Sequence, residues 1–175
     1  MENPISALIA DKGWCVADGA TGSNFFGRGL EAGYPPELWC LEKPEDVLWL
    51  HGEFLSAGSD LILTNSFGGN ALRLKLHQAE NRVRELNIAA ANLARQAVEA
   101  HAQKTGRKAL VAGSIGPTGE LFEPMGALTY EAAVTCFTEQ AEALAEGGAD
   151  VLWIETMSAN EEVAAAAEAG KKTGL

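Results

Sequence analysis

Basic residues are scarce in this chain: 13 Lys and Arg stand against 24 Asp and Glu, a net charge of −11 over 175 residues. The acids are spread along helical segments and form no tail, so the balance favours solubility and argues against nucleic acid or acidic membrane surfaces as partners. Cysteine is scarce as well. Cys15, Cys40 and Cys136 are odd in number and widely spaced, which makes neither a disulfide framework nor a zinc signature, and they read as reduced thiols. No apolar run reaches the ~20 residues of a membrane span, and Met1-Glu-Asn-Pro-Ile-Ser6 lacks a basic segment followed by an apolar one. A cytoplasmic location is expected. A Pro-, Gly- or Ser-rich linker is missing too, so 47% hydrophobic and 21% charged residues point to one folding unit.

What is present is organised around Asp60-Leu-Ile-Leu-Thr-Asn-Ser-Phe-Gly-Gly-Asn70. Its apolar run is too short for a helix and ends abruptly in Thr64, Asn65 and Ser66, the pattern of a buried parallel strand emptying into a polar loop. A core does not need that end to be polar, whereas a ligand at the carboxyl ends of parallel strands would use it. Three further strands are expected at Trp14–Asp18, Ala109–Pro117 and Val151–Met157, each running into glycine or polar residues. Between them, Pro44 opens a helix that Gly58 stops, and Glu80–His101 carries apolar residues at spacings of three and four. Thr129 caps a third helix that Gly147-Gly148 closes, and an Ala-rich helix runs from Asn160 to about Lys172. The long irregular stretch Phe25–Lys43 is expected to hold substrate-enclosing contacts or plain packing.

Strand and helix alternate four times, which means a parallel sheet covered by helices. An open doubly wound sheet would be complete at this length, whereas a closed eight-stranded barrel typically needs ~250 residues. The first strand is followed by Gly19-Ala-Thr-Gly22, not by the Gly-x-Gly-x-x-Gly of a dinucleotide fold. Polar strand ends on all four units fit a barrel mouth better.

Asp18 and Glu155 occupy corresponding places at the ends of the first and fourth strands. A buried acid must be paired, hydrogen-bonded or protonated. A bound ammonium group would satisfy both acids, backbone N–H groups of neighbouring loops would do so equally, and acid–base work by the pair is a third possibility. His51, His77 and His101 lack the paired spacing of a metal helix and are expected as solvated surface residues. Cys15 is expected to face the helices and Cys136 to lie beside a packed helix face. Gly113-Ser-Ile-Gly-Pro117 lacks a P-loop lysine and reads as a phosphate cradle or a tight turn.

Four stretches, Asp18-Gly-Ala-Thr-Gly-Ser23, Leu63-Thr-Asn-Ser-Phe-Gly-Gly-Asn70, Ala112-Gly-Ser-Ile-Gly-Pro-Thr118 and Ile154-Glu-Thr-Met157, in this order at successive strand ends, resemble the homocysteine S-methyltransferase family. That family includes betaine-homocysteine methyltransferase and the homocysteine module of cobalamin-dependent methionine synthase. The resemblance runs from about Trp14 to the last residue. It implies an α/β fold, the parallel (β/α)4 N-terminal half of a (β/α)8 TIM barrel over residues 1–175, and a zinc ion that stabilises the thiolate of homocysteine for attack on an activated methyl group. By position, it implies that Asp18 and Glu155 hold the substrate ammonium group, that Gly19 and Thr64 offer donors to its carboxylate, and that Asn65 and Ser66 shape the mouth.

The family's metal-binding cysteines lie in Gly-Gly-Asn-Cys-like and Gly-Gly-Cys-Cys motifs that this sequence does not contain, so no zinc ligand is assigned. The expected partners are homocysteine, a methyl donor (betaine, S-methylmethionine, or a methylated corrinoid or folate), and either a second copy or a missing second half-barrel. The 175-residue chain is expected to be inactive alone. Two other functions fit less well: a non-catalytic half-barrel assembly module, and a barrel lyase using the strand-end carboxylates.

Overall fold

A computed structural model of the chain describes residues 3–175; Met1 and Glu2, the start of the N-terminal stretch considered above, lie outside the described residues. Three strands, β1 (Leu61–Leu63), β2 (Leu110–Ile115) and β3 (Val151–Ile154), form a parallel sheet in the order β1-β2-β3. Eight α-helices are seen among the described residues: α1 (Pro4–Lys12), α2 (Gly22–Phe26), α3 (Trp39–Glu42), α4 (Pro44–Ala57), α5 (Ala71–Leu74), α6 (Val83–Thr105), α7 (Tyr130–Glu146) and α8 (Asn160–Lys171).

The helix ends follow from local chemistry. Pro44 takes a first-turn position in α4 and Gly58 ends it in the left-handed region, where a residue without Cβ is unstrained. The Thr129 hydroxyl accepts from the Ala132 N–H at the start of α7. Side chains alternate across the strands. Ile62, Val111 and Ile115 pack against Ala91, Ala94, Phe137 and Leu144 of α6 and α7 and against the alanines of α8. Fully buried side chains such as Phe137 and Leu144 are each worth about 1.5–3 kcal/mol of apolar transfer. Leu61, Ala112 and Val151 take the opposite face, with Leu63, Leu110, Trp153 and, from α1, Ile5.

The expected first strand at Trp14–Asp18 is reduced to a single parallel bridge, Ala17 to Leu61. The Asp18 N–H donates to the Leu61 carbonyl over 3.1 Å and the Asp60 N–H to Val16 over 2.7 Å, but Gly19 breaks the run before a ladder extends. As an edge it leaves Trp14 57% and Val16 42% exposed. The same bridge corrects the placement of Cys15. With Ala17 in register with Leu61, Cys15 falls on the face of Leu61 and Ala112, away from the helices.

Helix α1 and the short helices α2, α3 and α5 went unrecognised in the sequence, and the placement of His51 is corrected. Helix α1 is capped by Asn3, whose side chain accepts from the Ile5 and Ser6 N–H groups, and it buries no residue, so it has no apolar stripe to reveal it. Asp60 ties it down by pairing with Lys12 while accepting from the Val16 N–H at 3.1 Å. His51 is not at the surface. It is 1% exposed, and neither ring nitrogen has a hydrogen-bond partner. Val47 and Leu55, four residues to either side on α4, are fully buried, and His51 belongs to their stripe.

Candidate functional site

At the end of β1 the chain folds back on itself: the Ser66 N–H donates to the Thr64 carbonyl over 2.8 Å. This turn is fastened to β2. The Ser114 N–H donates to Thr64 Oγ1 (3.0 Å), Thr64 Oγ1 and Ser66 Oγ are 2.6 Å apart, and Ser66 Oγ donates to the Ser114 carbonyl (2.8 Å). Two buried amides hold it from behind. Gln140 of α7 donates to the Ser66 carbonyl (2.8 Å) and Asn87 of α6 to the Gly69 carbonyl (2.8 Å). The Gly116 N–H donates to the Phe67 carbonyl (3.0 Å), and a Cβ at Gly116 would stand 2.6 Å from that same oxygen. Only glycine allows this approach: Gly113–Ile115 finish β2, and Gly116 is close-packed against the Phe67 backbone.

The two acids meet at this rack. Ser114 Oγ donates to Glu155 Oε1 (2.7 Å), and Asp18 Oδ2 accepts from the Leu63 N–H (2.9 Å). Burial, with the nearby Glu155 carboxylate adding to it, pushes the Asp18 carboxyl up to about 6 against the opposing pull of the Leu63 N–H. Thr156, directly after Glu155, has φ +59°. A β-branched residue in the left-handed region is strained by about 1–3 kcal/mol, a cost met more often at functional sites than elsewhere.

Above the rack lies a cleft of about 660 Å³ lined by Gly19, Thr64, Asn65, Ser66, Ser114 and Glu155, among others. Asp18 is held against Leu63, itself a lining residue. The structure therefore brings all six sequence-predicted residues to one place, with different attachments. The Thr64 and Ser66 hydroxyls are engaged with Ser114. The Asn65 amide donates away from the mouth, to the Pro36 carbonyl (2.7 Å) and the Cys40 sulfur (3.4 Å). Asn65 thus anchors the stretch 25–43, which is packed: Phe25 and Trp39 have ring centroids 5.0 Å apart, and Leu30 and Cys40 are buried with them. Its Gly33–Glu37 edge borders the cleft.

Three lining residues escaped the sequence reading. Glu37 is buried and accepts from the Gly68 N–H (2.6 Å); burial pushes its carboxyl up, while the backbone N–H groups and then Arg73 and His77 pull it down. Arg73 and His77 border the same cleft. Nothing in Pro35-Pro36-Glu37 or in the spacing after Asn70 marks these side chains, because the packing of short segments, α5 among them, brings them in.

Among the described residues no three His, Cys, Asp or Glu side chains converge to hold a metal ion. Cys15 lies on the sheet face turned away from the helices, Cys40 in the loop core with its thiol pushed up to about 12 by burial, and Cys136 against Asn70. These residues do not fit a zinc centre.

The sequence model of the homocysteine S-methyltransferase family matches residues 15–174. Solved structures of the Escherichia coli homocysteine methyltransferase MmuM are similar over nearly the whole chain. The metallated form has 28% identity and a TM-score of 0.84, covering 98% of this chain and 64% of that one. The oxidized form has 27% identity and a TM-score of 0.85, covering 98% and 62%. The apo form has 26% identity and a TM-score of 0.75, covering 97% and 59%. The chain thus spans less than two thirds of the length of these relatives.

Proposed function

This chain belongs to the homocysteine S-methyltransferase family, and we propose that its strand ends bind the amino-acid end of homocysteine for methylation of the sulfur to give methionine. The observation that carries this reading is the convergence of Asp18 and Glu155 on one rack, with the Asp18 carboxyl raised by burial and, less, by the Glu155 charge. Two neighbouring carboxylates in a half-buried mouth favour a bound cation, and an α-ammonium group supplies one. Gly19 and Thr64 border the space where the attached carboxylate would lie.

In this reading the chain is four β/α units of an eight-stranded barrel, with 14–18 as the first strand. Zinc ligands would have to come from outside residues 3–175, and a zinc ion held there would supply stabilisation of a thiolate. The remaining units also cover the partly exposed inner face around Leu63, Leu110 and Trp153; a second copy could cover the same face. The chain then binds substrate but does not turn it over.

Calorimetric titration of the 175-residue chain with homocysteine tests the reading. Saturable binding that Glu155→Ala abolishes is the expected result. Absence of binding, together with a stable self-assembled oligomer, would favour the assembly-module alternative.

A further inference from the structure

On the loop between β2 and α7, Met125 is 84% exposed and Leu121 60%. The loop that carries them is tightly closed. The Leu128 N–H donates to the Leu121 carbonyl and the Glu123 N–H to the Leu128 carbonyl, each over 3.1 Å, and Phe122 packs against the main core. A Cβ on Gly126 would collide with the Leu121 backbone. A fixed frame therefore holds two large apolar side chains in water, where covering them would be favourable. Leu128, which closes this knob, also lines a groove of about 450 Å³ between α5 and α7, with Ala71, Leu72, Ala132 and Cys136. The apolar surface has an acidic border. Glu131 and Glu139 line the groove, Glu120 and Glu123 flank Leu121, all four are exposed, and none has an ion-pair partner among the described residues.

We propose that this surface docks a cationic amphipathic helix of a partner protein. An apolar centre inside a polar rim is the anatomy of a binding surface, and a groove between two helices takes a third by its apolar stripe. Charge selects the occupant. A second copy would bring the same four acids and a net charge of −11 against this border, and like charges set face to face oppose association. Lysines or arginines flanking the stripe of the incoming helix meet the acids instead. Glu131 and Glu139 are eight residues apart on α7, about 12 Å at the rise of an α-helix, so basic residues two turns apart on the partner match them. Position excludes further units of a barrel as the cover. The groove lies where α5 follows β1 and α7 follows β2, whereas the open edges of the sheet are the 14–18 segment and β3. Ala71 and Leu72 belong to the short helix that carries Arg73 to the main cleft, so the docked helix lies against the cleft wall.

The probe is a fluorescent peptide of about 16 residues with leucines at i, i+3, i+4 and i+7 and lysines on both flanks, titrated against the full chain by anisotropy. Saturable micromolar binding is expected. Met125→Ser and the double variant Glu131→Lys/Glu139→Lys should each weaken it at least about tenfold. The control Glu53→Lys/Glu99→Lys makes the same change of charge at exposed acids of α4 and α6 and should stay within about twofold. A scrambled peptide of equal composition, without the stripe, should bind at least about tenfold more weakly. All substituted side chains are exposed, and an unchanged circular dichroism spectrum verifies folding. Absence of saturable binding, equal weakening by the two double variants, or equal binding of the scrambled peptide would each overturn the proposal. A dimer in sedimentation that Met125→Ser dissolves would overturn it too, by assigning the surface to a second copy.

Discussion

The Ser114 hydroxyl donates to Glu155 Oε1 over 2.7 Å while the backbone N–H of the same serine donates to Thr64 Oγ1. One residue of β2 thus sets both the β1 turn and the orientation of a carboxylate on β3. Because the register pairs Ser114 with Trp153, Glu155 lies two residues on along the same sheet face, within reach of the hydroxyl.

Ser114→Ala removes that donor and leaves the backbone contacts in place. A hydrogen bond to a charged group is worth about 1.5–3 kcal/mol, so homocysteine affinity should fall at least about tenfold. Titration calorimetry checks it, with an unchanged circular dichroism spectrum as the control for folding.

Asp18 couples binding to pH. Its carboxyl titrates at about 6, and an ammonium ligand prefers it ionised, so binding below that pH must also release a proton. Affinity should rise about fivefold from pH 5 to 6, about twofold more from 6 to 7, and then level off. Asp18→Asn should bind more weakly and lose this slope. Titrations in two buffers of different ionisation enthalpy would show the released proton directly.

His51 makes the fold sensitive to acid. Burial lowers its folded value to about 4 from 6.5, so between those values the unfolded chain binds the extra proton. Stability is fully present above about 6.5 and is lost as pH falls towards 4, by roughly 3 kcal/mol in all. Asp18, raised in the fold, acts with the opposite sign over pH 3.8 to 6, so the comparison belongs in an Asp18→Asn background. There, His51→Leu should flatten the urea-unfolding stability between pH 7 and 5 and cost little at pH 7, because neither ring nitrogen has a bond to lose.

Gln140 links α7 to the Ser66 turn from a fully buried position. Gln140→Leu leaves the Ser66 carbonyl with the Gly69 N–H alone and Asn87 without its neighbour. A cost of about 1–3 kcal/mol is expected, read as a lower midpoint in urea, together with weaker homocysteine binding as the turn loosens.

Much of this was legible where one local rule decides. Pro44, Gly58, Thr129 and Gly147 mark helix ends because caps and breakers act within a few residues. Thr64, Asn65, Ser66 and Glu155 announced a mouth because polarity gathers at one end of otherwise apolar runs. Tertiary packing hid the rest. Asn65 turns to Pro36 and Cys40, Cys15 changes face through the register of Ala17, and His51 is buried because Val47 and Leu55 are. Arg73 reaches the cleft on a four-residue helix that no periodicity can reveal.

Asp18 and Glu155 are brought together from widely separated points of the sequence. A polypeptide that has yet to emit Val151–Ile154 holds the first acid with no counterpart and only part of the cleft. An amine spanning the two carboxylates would act as a clasp between β3 and the segment before Gly19, stabilising the folded chain by mass action.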